Sequence, residues 1–265
     1  MYGTYEYSSV YGSPVCGPNV TDFRNTYRGC KDLTGAPVCG DKVTDMSDAY
    51  ADCESLSGNA VCGPNVTNMH NAYQNCYSLT GAPACGDKVT DMSNAYQNCY
   101  NLTGNAVCGN NVTNMAFAYA NSTVRGVPVC GPKVTNMQCA YENCQYVSTR
   151  EDIVIGKNVI DISGAFRNSY VLSGRQSVNI VILSPNVTSA TAMVEGIDPD
   201  IYSLDIYVPA GSKTLSAITS DNYFYGDQYY IYWSYSSYGY YYAYDRDGQS
   251  IADVRIYPNL PSGYN

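Results

Sequence analysis

The sequence predicts a solenoid, a fold in which short units stack so that each supplies the core its neighbours lack. Three observations predict it. Cysteine recurs as Cys16, Cys39, Cys62, Cys85 and Cys108 at a constant step of 23 residues, then as Cys130 after a step of 22. An aromatic side chain keeps the same register, as Tyr27, Tyr50, Tyr73, Tyr96, Tyr119 and Tyr141 and then Phe166. The stretch from Leu33 to Cys53, LTGAPVCGDKVTDMSDAYADC, returns almost verbatim along the first half of the chain. A fixed period in the twenties marks a repeat fold whose single units cannot bury their own apolar face, and the length fits about eight or nine of them.

Within one unit two periodicities are legible. Met46, Ala49, Tyr50 and Cys53 fall at i, i+3, i+4 and i+7, which predicts a short helix with these four inward and Ser47, Asp48, Ala51 and Asp52 facing water. Asp45 is placed to cap that helix, and Asp or Asn fills the same slot as Asp22, Asn68, Asp91, Asn114, Asn136 and Asp161. Upstream, Pro37 to Cys39 is a short apolar run ended by Gly40, which predicts one brief strand per unit. Leu56 closes the coil.

The units read Asn65-Val66-Thr67-Asn68-Met69, then Tyr73, Cys76 and Leu79. This pattern resembles the leucine-rich repeats of BspA-type surface proteins, in the variant with an N-V-T-N-M core, over roughly residues 11 to 193. Family members usually carry Phe where this chain has Tyr, and Leu or Ile where it has Val38 and Cys39. The resemblance implies an α/β solenoid of leucine-rich-repeat-like coils, one short strand and one short helix each, displayed on a cell or particle surface for binding. It carries over no catalytic residue.

Taken in order, residues 1–12 hold Tyr2, Tyr5, Tyr7 and Tyr11 and are expected to cap the open N-terminal end. The solenoid is expected over 13–220, with regular repeats at 13–150 and aliphatic ones at 151–220, where Ile153-Val154-Ile155 and Ile180-Val181-Ile182-Leu183 read as longer, better buried strands. Leu204, Ile206 and Val208 alternate, and Ser212 is placed to cap a last helix carrying Leu215 and Ile218. From 221 to 265 the composition shifts, with thirteen tyrosines and turn glycines at Gly226, Gly239 and Gly248, which predicts a small Tyr-rich β module. Asp245-Arg246-Asp247-Gly248 is faintly like the start of a calcium loop but lacks the downstream Glu, and reads as a hairpin turn.

Several residue types invite a chemical reading. The cysteines contain no C-x-x-C pair and only one histidine accompanies them, which argues against zinc. Their second slot (Cys30, Cys53, Cys76, Cys99, Cys144) changes to Ser122 and Ser169, and their first slot to Ile155 and Leu183, so both read as ladders of small core thiols. Triad chemistry would have to run through His70, which sits in a freely varying slot. The Asn-Val-Thr triplets at Asn19, Asn65, Asn111 and Asn186 match the glycosylation acceptor but fall where the unit turns. The threonine ladder (Thr21, Thr44, Thr67, Thr90, Thr113) places one threonine per unit, half of a two-threonine ice-binding rank. Regularity breaks around Arg125, which takes the place of a closing Leu, and there Phe117 and Cys139 replace polar outward residues. These three residues are the candidate interface, as an exposed apolar patch with Cys139 as an intermolecular thiol.

Bulk properties narrow the function. Fourteen basic against 23 acidic residues give a net charge of −9 without a Lys/Arg cluster, which speaks against nucleic acid as partner. No apolar run reaches membrane-spanning length, and the start, MYGTYEYSSVYG, lacks the features of a secretory signal. Neither a phosphate-binding glycine loop nor a cofactor motif is present, so a non-enzymatic binding or structural role is expected, with no cofactor and no metal. The candidate contact residues are Tyr230, Tyr232, Trp233, Tyr235, Tyr238, Tyr240 and Tyr242, whose amphipathic rings suit a host-surface glycan, a receptor or a protein partner in a larger assembly, a homo-oligomer included. The expected setting is an extracellular surface: a bacteriophage tail, fibre or other virion appendage, or alternatively a bacterial BspA-like adhesin.

Overall fold

A computed structural model describes residues 1–147, 151–172, 177–196, 201–220, 232–244 and 247–264. It is made mostly of turns and irregular backbone, with few helices and strands, and it carries a regular ladder of buried aromatics and cysteines. The chain divides into two compact units, Met1–Gly126 and Val127–Asn265.

In the first unit the segment read as a helix is not one. Asp48 and Asp52 adopt φ of +54° and +61°, the left-handed region that Asn and Asp tolerate best after glycine. Each such pair is spaced by four residues and recurs as Asn71 and Asn75, Asn94 and Asn98, Phe117 and Asn121. The result is a chain of tight turns whose N–H groups serve alternately the following repeat and the turn itself. Those of Met46, Asp48, Tyr50 and Asp52 donate to the carbonyls of Asn68, His70, Ala72 and Gln74 in the following repeat, at 2.8–3.0 Å. Those of Ala49, Ala51 and Cys53 close turns onto Met46, Asp48 and Tyr50, and Ser47 N–H donates to the Asp45 carboxylate at 2.8 Å. Every backbone donor from 46 to 53 is thereby satisfied without a helix. Asp45 thus acts as expected on the next turn, but as an Asx turn instead of a helix cap.

Burial follows the expected inward set, with Met46, Ala49, Tyr50 and Cys53 fully buried; Ala51, expected to face water, is buried as well. The strand expected at Pro37–Cys39 is absent. A line of parallel bridges falls instead on Asp22, Asp45, Asn68, Asp91 and Asn114, with others joining Gly12 to Leu33, Gly81 to Leu102 and Asn105 to Arg125. Carboxylates at one slot of adjacent repeats would repel. Asn68 and Asn114 alternate with Asp45 and Asp91 and turn their amides toward those carboxylates at 3.4 Å, and Asp22 is paired with Arg24 at 2.7 Å.

The tyrosine file explains why the aromatic is Tyr. Rings of Tyr27, Tyr50, Tyr73, Tyr96 and Tyr119 stack at 5.5–5.6 Å between centroids, within 9° of parallel. Each hydroxyl reaches the backbone of the residue twelve positions upstream. Tyr73 donates to the Val61 carbonyl at 2.7 Å and accepts from the Val61 N–H at 3.1 Å, and Tyr27, Tyr50, Tyr96 and Tyr119 do the same at Val15, Val38, Ala84 and Val107. The phenol replaces the ladder that a strand would have given those backbone groups. Residues 1–8 join this file: Gly3, Tyr5 and Tyr7 donate to Arg24, Thr26 and Arg28, and Tyr5 stacks on Tyr27 at 5.1 Å.

The second unit repeats the turns through Cys139 and Asn143, then Gly164 and Asn168, with Tyr141 stacked on Phe166 at 6.1 Å and its hydroxyl on Val129. Phe166 lacks the hydroxyl, and the residue twelve upstream, Val154, lies in a true strand. Strands β1 (Ile153–Ile155), β2 (Ser177–Ile182) and β3 (Ser203–Tyr207) run parallel. Helix α1 (Lys213–Ser220) follows, capped by Ser212 Oγ accepting from Leu215 N–H at 3.1 Å, with Ile218 buried as expected. Strands β4 (Tyr232–Tyr235), β5 (Tyr241–Tyr244) and β6 (Ser250–Tyr257) complete one six-stranded sheet in the order β1-β2-β3-β6-β5-β4. The Tyr-rich module therefore shares a sheet with the aliphatic strands, because β6 pairs in parallel with β3.

Two substitutions test this account by urea unfolding. Tyr73→Phe keeps the ring and strands the Val61 backbone, so a loss of about 1–3 kcal/mol is expected; an unchanged midpoint would contradict the role given to the hydroxyl. Asn94 sits at φ +56°, so Asn94→Ala is expected to lose about 1–2 kcal/mol and Asn94→Gly less than that. Equal losses would argue against a left-handed residue there.

Candidate functional site

Alternation along the sheet separates two faces. Leu204, Ile206, Val254, Ile256 and Ala243 are buried on one, leaving Asp205, Tyr207, Arg255, Tyr257 and Tyr242 on the other. Register then aligns one row across five strands on that outer face: Asn179, Asp205, Arg255, Tyr242 and Ser234. Arg255 Nε donates to Asp205 Oδ1 at 2.7 Å and its guanidinium lies 6.0 Å from the centre of the Tyr240 ring. Beside this polar row, Tyr207 and Tyr257 stack at 4.9 Å and Tyr240 packs on Tyr257 at 5.4 Å. On the other side Tyr232 and Tyr244 stack at 5.6 Å. Ser234, Tyr242, Tyr244 and Gly248 line a cleft of about 340 Å³ on the same face. At the sheet's edge Asp152 accepts from Asn179 at 3.0 Å and from the Tyr264 hydroxyl at 3.1 Å.

Burial first, and then the Asp205 carboxylate, push the phenols of Tyr207 and Tyr257 above the usual tyrosine value. Both hydroxyls hold their protons at neutral pH and so can donate as well as accept.

The sequence candidates divide between faces. Tyr232 and Tyr242 lie exposed on the outer face, and Tyr240 reaches it through Tyr257 and Arg255. Trp233, opposite buried Ala243, and Tyr235, opposite Tyr241, belong to the inner side, while Tyr238 sits in the connecting turn, 83% exposed. Tyr230, Asp245 and Arg246 lie outside the described residues. Sequence reasoning missed Asn179, Asp205, Tyr207, Arg255 and Tyr257. The signal was present, since the alternation that marked Leu204, Ile206 and Val208 as inward leaves Asp205 and Tyr207 outward, but the β3–β6 pairing joins residues 50 apart.

The proposed interface residues require correction. Phe117 is half-buried at φ +56° and Arg125 is exposed, both in the first unit; Val124, fully buried, takes the closing position that Arg125 was read to occupy. Cys139, in the second unit, is only 5% exposed. Its Sγ fills the space left by Gly164 at the same slot of the next repeat, where a Cβ would come within 2.8 Å, and it packs beside Arg167, whose Nε donates to Glu142 at 2.9 Å. Burial, reinforced by Glu142, pushes this thiol up to about 12, which ends its reading as an accessible intermolecular thiol.

The remaining motifs are absorbed by repeat-to-repeat contacts. No disulfide joins cysteines among the described residues. Cys53, Cys76 and Cys99 donate their S–H to the carbonyls of Tyr27, Tyr50 and Tyr73 at 3.0–3.1 Å, and Ser169, at the same slot, donates to the carbonyl of Cys144 at 3.1 Å, so serine too bonds to the preceding repeat there. Asn65 and Asn111 donate to the carbonyls of Asp41 and Asp87, and Thr44, Thr67, Thr90 and Thr113 each donate to the preceding threonine carbonyl. His70 Nδ1 lies 2.8 Å from Ser93 Oγ, which donates to Asp91 at 2.6 Å. The order is His–Ser–Asp, with the serine bridging, so the carboxylate does not orient the imidazole as a triad requires. Among the described residues no group of three or more His, Cys, Asp or Glu is placed to hold a metal ion, and no helix is long and apolar enough to cross a membrane. No protein-family model matches this sequence, and neither a curated protein nor a solved structure matches it.

Half-buried thiols give the stability a definite pH dependence. Burial pushes Cys39 up to about 11 and Cys62 up to about 12, from an ordinary value near 9. A thiol raised on folding contributes stability that is fully present below its unfolded value and is lost as pH rises through the folded one. Under reducing conditions, denaturation midpoints are expected to hold from pH 7 to 8 and to fall between about pH 9 and 11; a rise over that window would contradict the burial of these thiols.

Proposed function

We propose that the chain is a solenoid of stacked 23-residue coils that serves as a non-enzymatic binding component of a virion appendage, such as a bacteriophage tail or fibre, with the outer face of its Tyr-rich sheet as the contact surface. The coils of this reading are built of left-handed turns and single bridges, in place of the strand and helix that the leucine-rich-repeat resemblance implied. The observation that carries the binding role is the outward row of Asn179, Asp205, Arg255, Tyr242 and Ser234 set between exposed and half-buried tyrosines. Aromatic and guanidinium groups of this kind are the residues that interfaces favour, and a stable core has no need of them on a solvated face.

The thiols favour a particle over a secreted adhesin. Small exported domains commonly use cysteine for disulfides, whereas a reducing cytoplasm preserves thiols. Here the thiols of Cys53, Cys76 and Cys99 serve as hydrogen-bond donors inside the fold. That chemistry suits folding and assembly in a cytoplasm with later release.

An antibody against the full chain, applied to the particle and envelope fractions of producing cells, checks the reading by immunogold microscopy. Labelling of particle appendages is expected. Labelling confined to the cell envelope would replace it with the adhesin reading.

A further inference from the structure

From the composition of the outer sheet face we infer that its ligand is an uncharged oligosaccharide. The inference rests on the binding role proposed above for that face and names the chemistry of its partner. Two kinds of group must coexist to bind a sugar: flat apolar surfaces for the ring's C–H face, and planar polar groups for its hydroxyls. Tyr242 and Tyr232 supply exposed rings, 38% and 41% exposed. Tyr242 stands within the polar row, which runs between Tyr232 and the Tyr207–Tyr257 stack and otherwise carries the exposed Asn179 amide, the Asp205 carboxylate, the Arg255 guanidinium and the Ser234 hydroxyl. Carboxylate, amide and guanidinium in one line offer acceptors and donors in fixed directions, as a ligand bearing many hydroxyls needs. Asn179 is held by Asp152 at 3.0 Å and Arg255 by Asp205 at 2.7 Å, so these side chains are already ordered before binding.

Charge selects within the class. Arg255 is the only cation in the row and is already engaged by Asp205 at 2.7 Å, so the pair presents no net positive charge. The chain as a whole carries −9. A sialylated or sulfated glycan would meet a repulsive field, and among the described residues the row offers no cation beyond the Arg255 already paired with Asp205. A flat protein surface is disfavoured by the polar row itself, whose donors and acceptors would have to find partners one by one across a desolvated contact.

The test is a printed array of neutral hexose oligosaccharides, sialylated oligosaccharides and sulfated oligosaccharides, probed with the fluorescently labelled full chain. Signal on neutral spots is expected, with at least a roughly tenfold loss in Tyr242→Ala, which removes a stacking ring. Asn179→Ala, at an exposed rim position, should also weaken it. Tyr100→Ala, an exposed tyrosine of the first unit, should leave it unchanged, and circular dichroism melting of each variant establishes that the fold is intact. Signal only on sialylated or sulfated spots would overturn the charge argument. If no spot binds while the chain still adheres to cells in a Tyr242-dependent manner, the saccharide inference falls and the binding face survives. If adherence is also absent or insensitive to Tyr242, both fall.

Discussion

The structure depends on one interaction, the phenol of a buried tyrosine clamping both polar groups of a single peptide residue twelve positions upstream. A unit this short has no room for a strand ladder on every side. Its segment from Pro37 to Cys39 runs unpaired by any strand, and a buried unpaired backbone would be costly. Tyr50 meets that demand at Val38 with one hydroxyl used as both donor and acceptor, at 2.7 and 3.0 Å. The ring that carries the hydroxyl stacks on Tyr27 and Tyr73, so the clamp and the apolar file are the same side chains. Tyr141 makes the same clamp on Val129 in the second unit.

Around this file the other recurring residues fall into place. Asn and Asp enter the left-handed region where the backbone needs it, and the Asn amides reach back to the preceding repeat, as Asn75 does to Asp52 at 2.7 Å and Asn98 to Asn75 at 2.6 Å. Glycine after the first cysteine lies under the preceding sulfur, and a Cβ on Gly63 would come within 2.8 Å of Cys39 Sγ. Most of the repeat's conspicuous chemistry, thiols, amides and threonine hydroxyls alike, is thus spent on holding one repeat to the next. Outward aromatics remain on the tyrosine-rich sheet face and, in the first unit, in the exposed stack of Tyr77 on Tyr100.

Much of this was legible in the sequence, because a repeated pattern separates invariant inward slots from variable outward ones within a single chain. The buried set of Met46, Tyr50, Cys53 and Leu56, the Ser212 cap and the inward alternation of Leu204, Ile206 and Val208 all follow from periodicity. The helix did not, for a physical reason. Turns with a left-handed residue every fourth position place side chains with nearly the spacing of a helical face, and the i, i+3, i+4, i+7 pattern does not distinguish them. The discriminating signal was the identity of the polar slots: Asn71 with Asn75 and Asn94 with Asn98 are poor helix formers and good left-handed residues. The sheet face was hidden for a different reason, since the pairing of β3 with β6 depends on no local pattern.

Nuclear Overhauser spectroscopy on the full chain tests the central claim most directly, through the surroundings of Tyr73. Contacts are expected from its ring to the rings of Tyr50 and Tyr96, and from its slowly exchanging hydroxyl proton to the amide of Val61. A Tyr73 hydroxyl exchanging freely with water, or ring contacts only to residues of its own repeat, would contradict that claim.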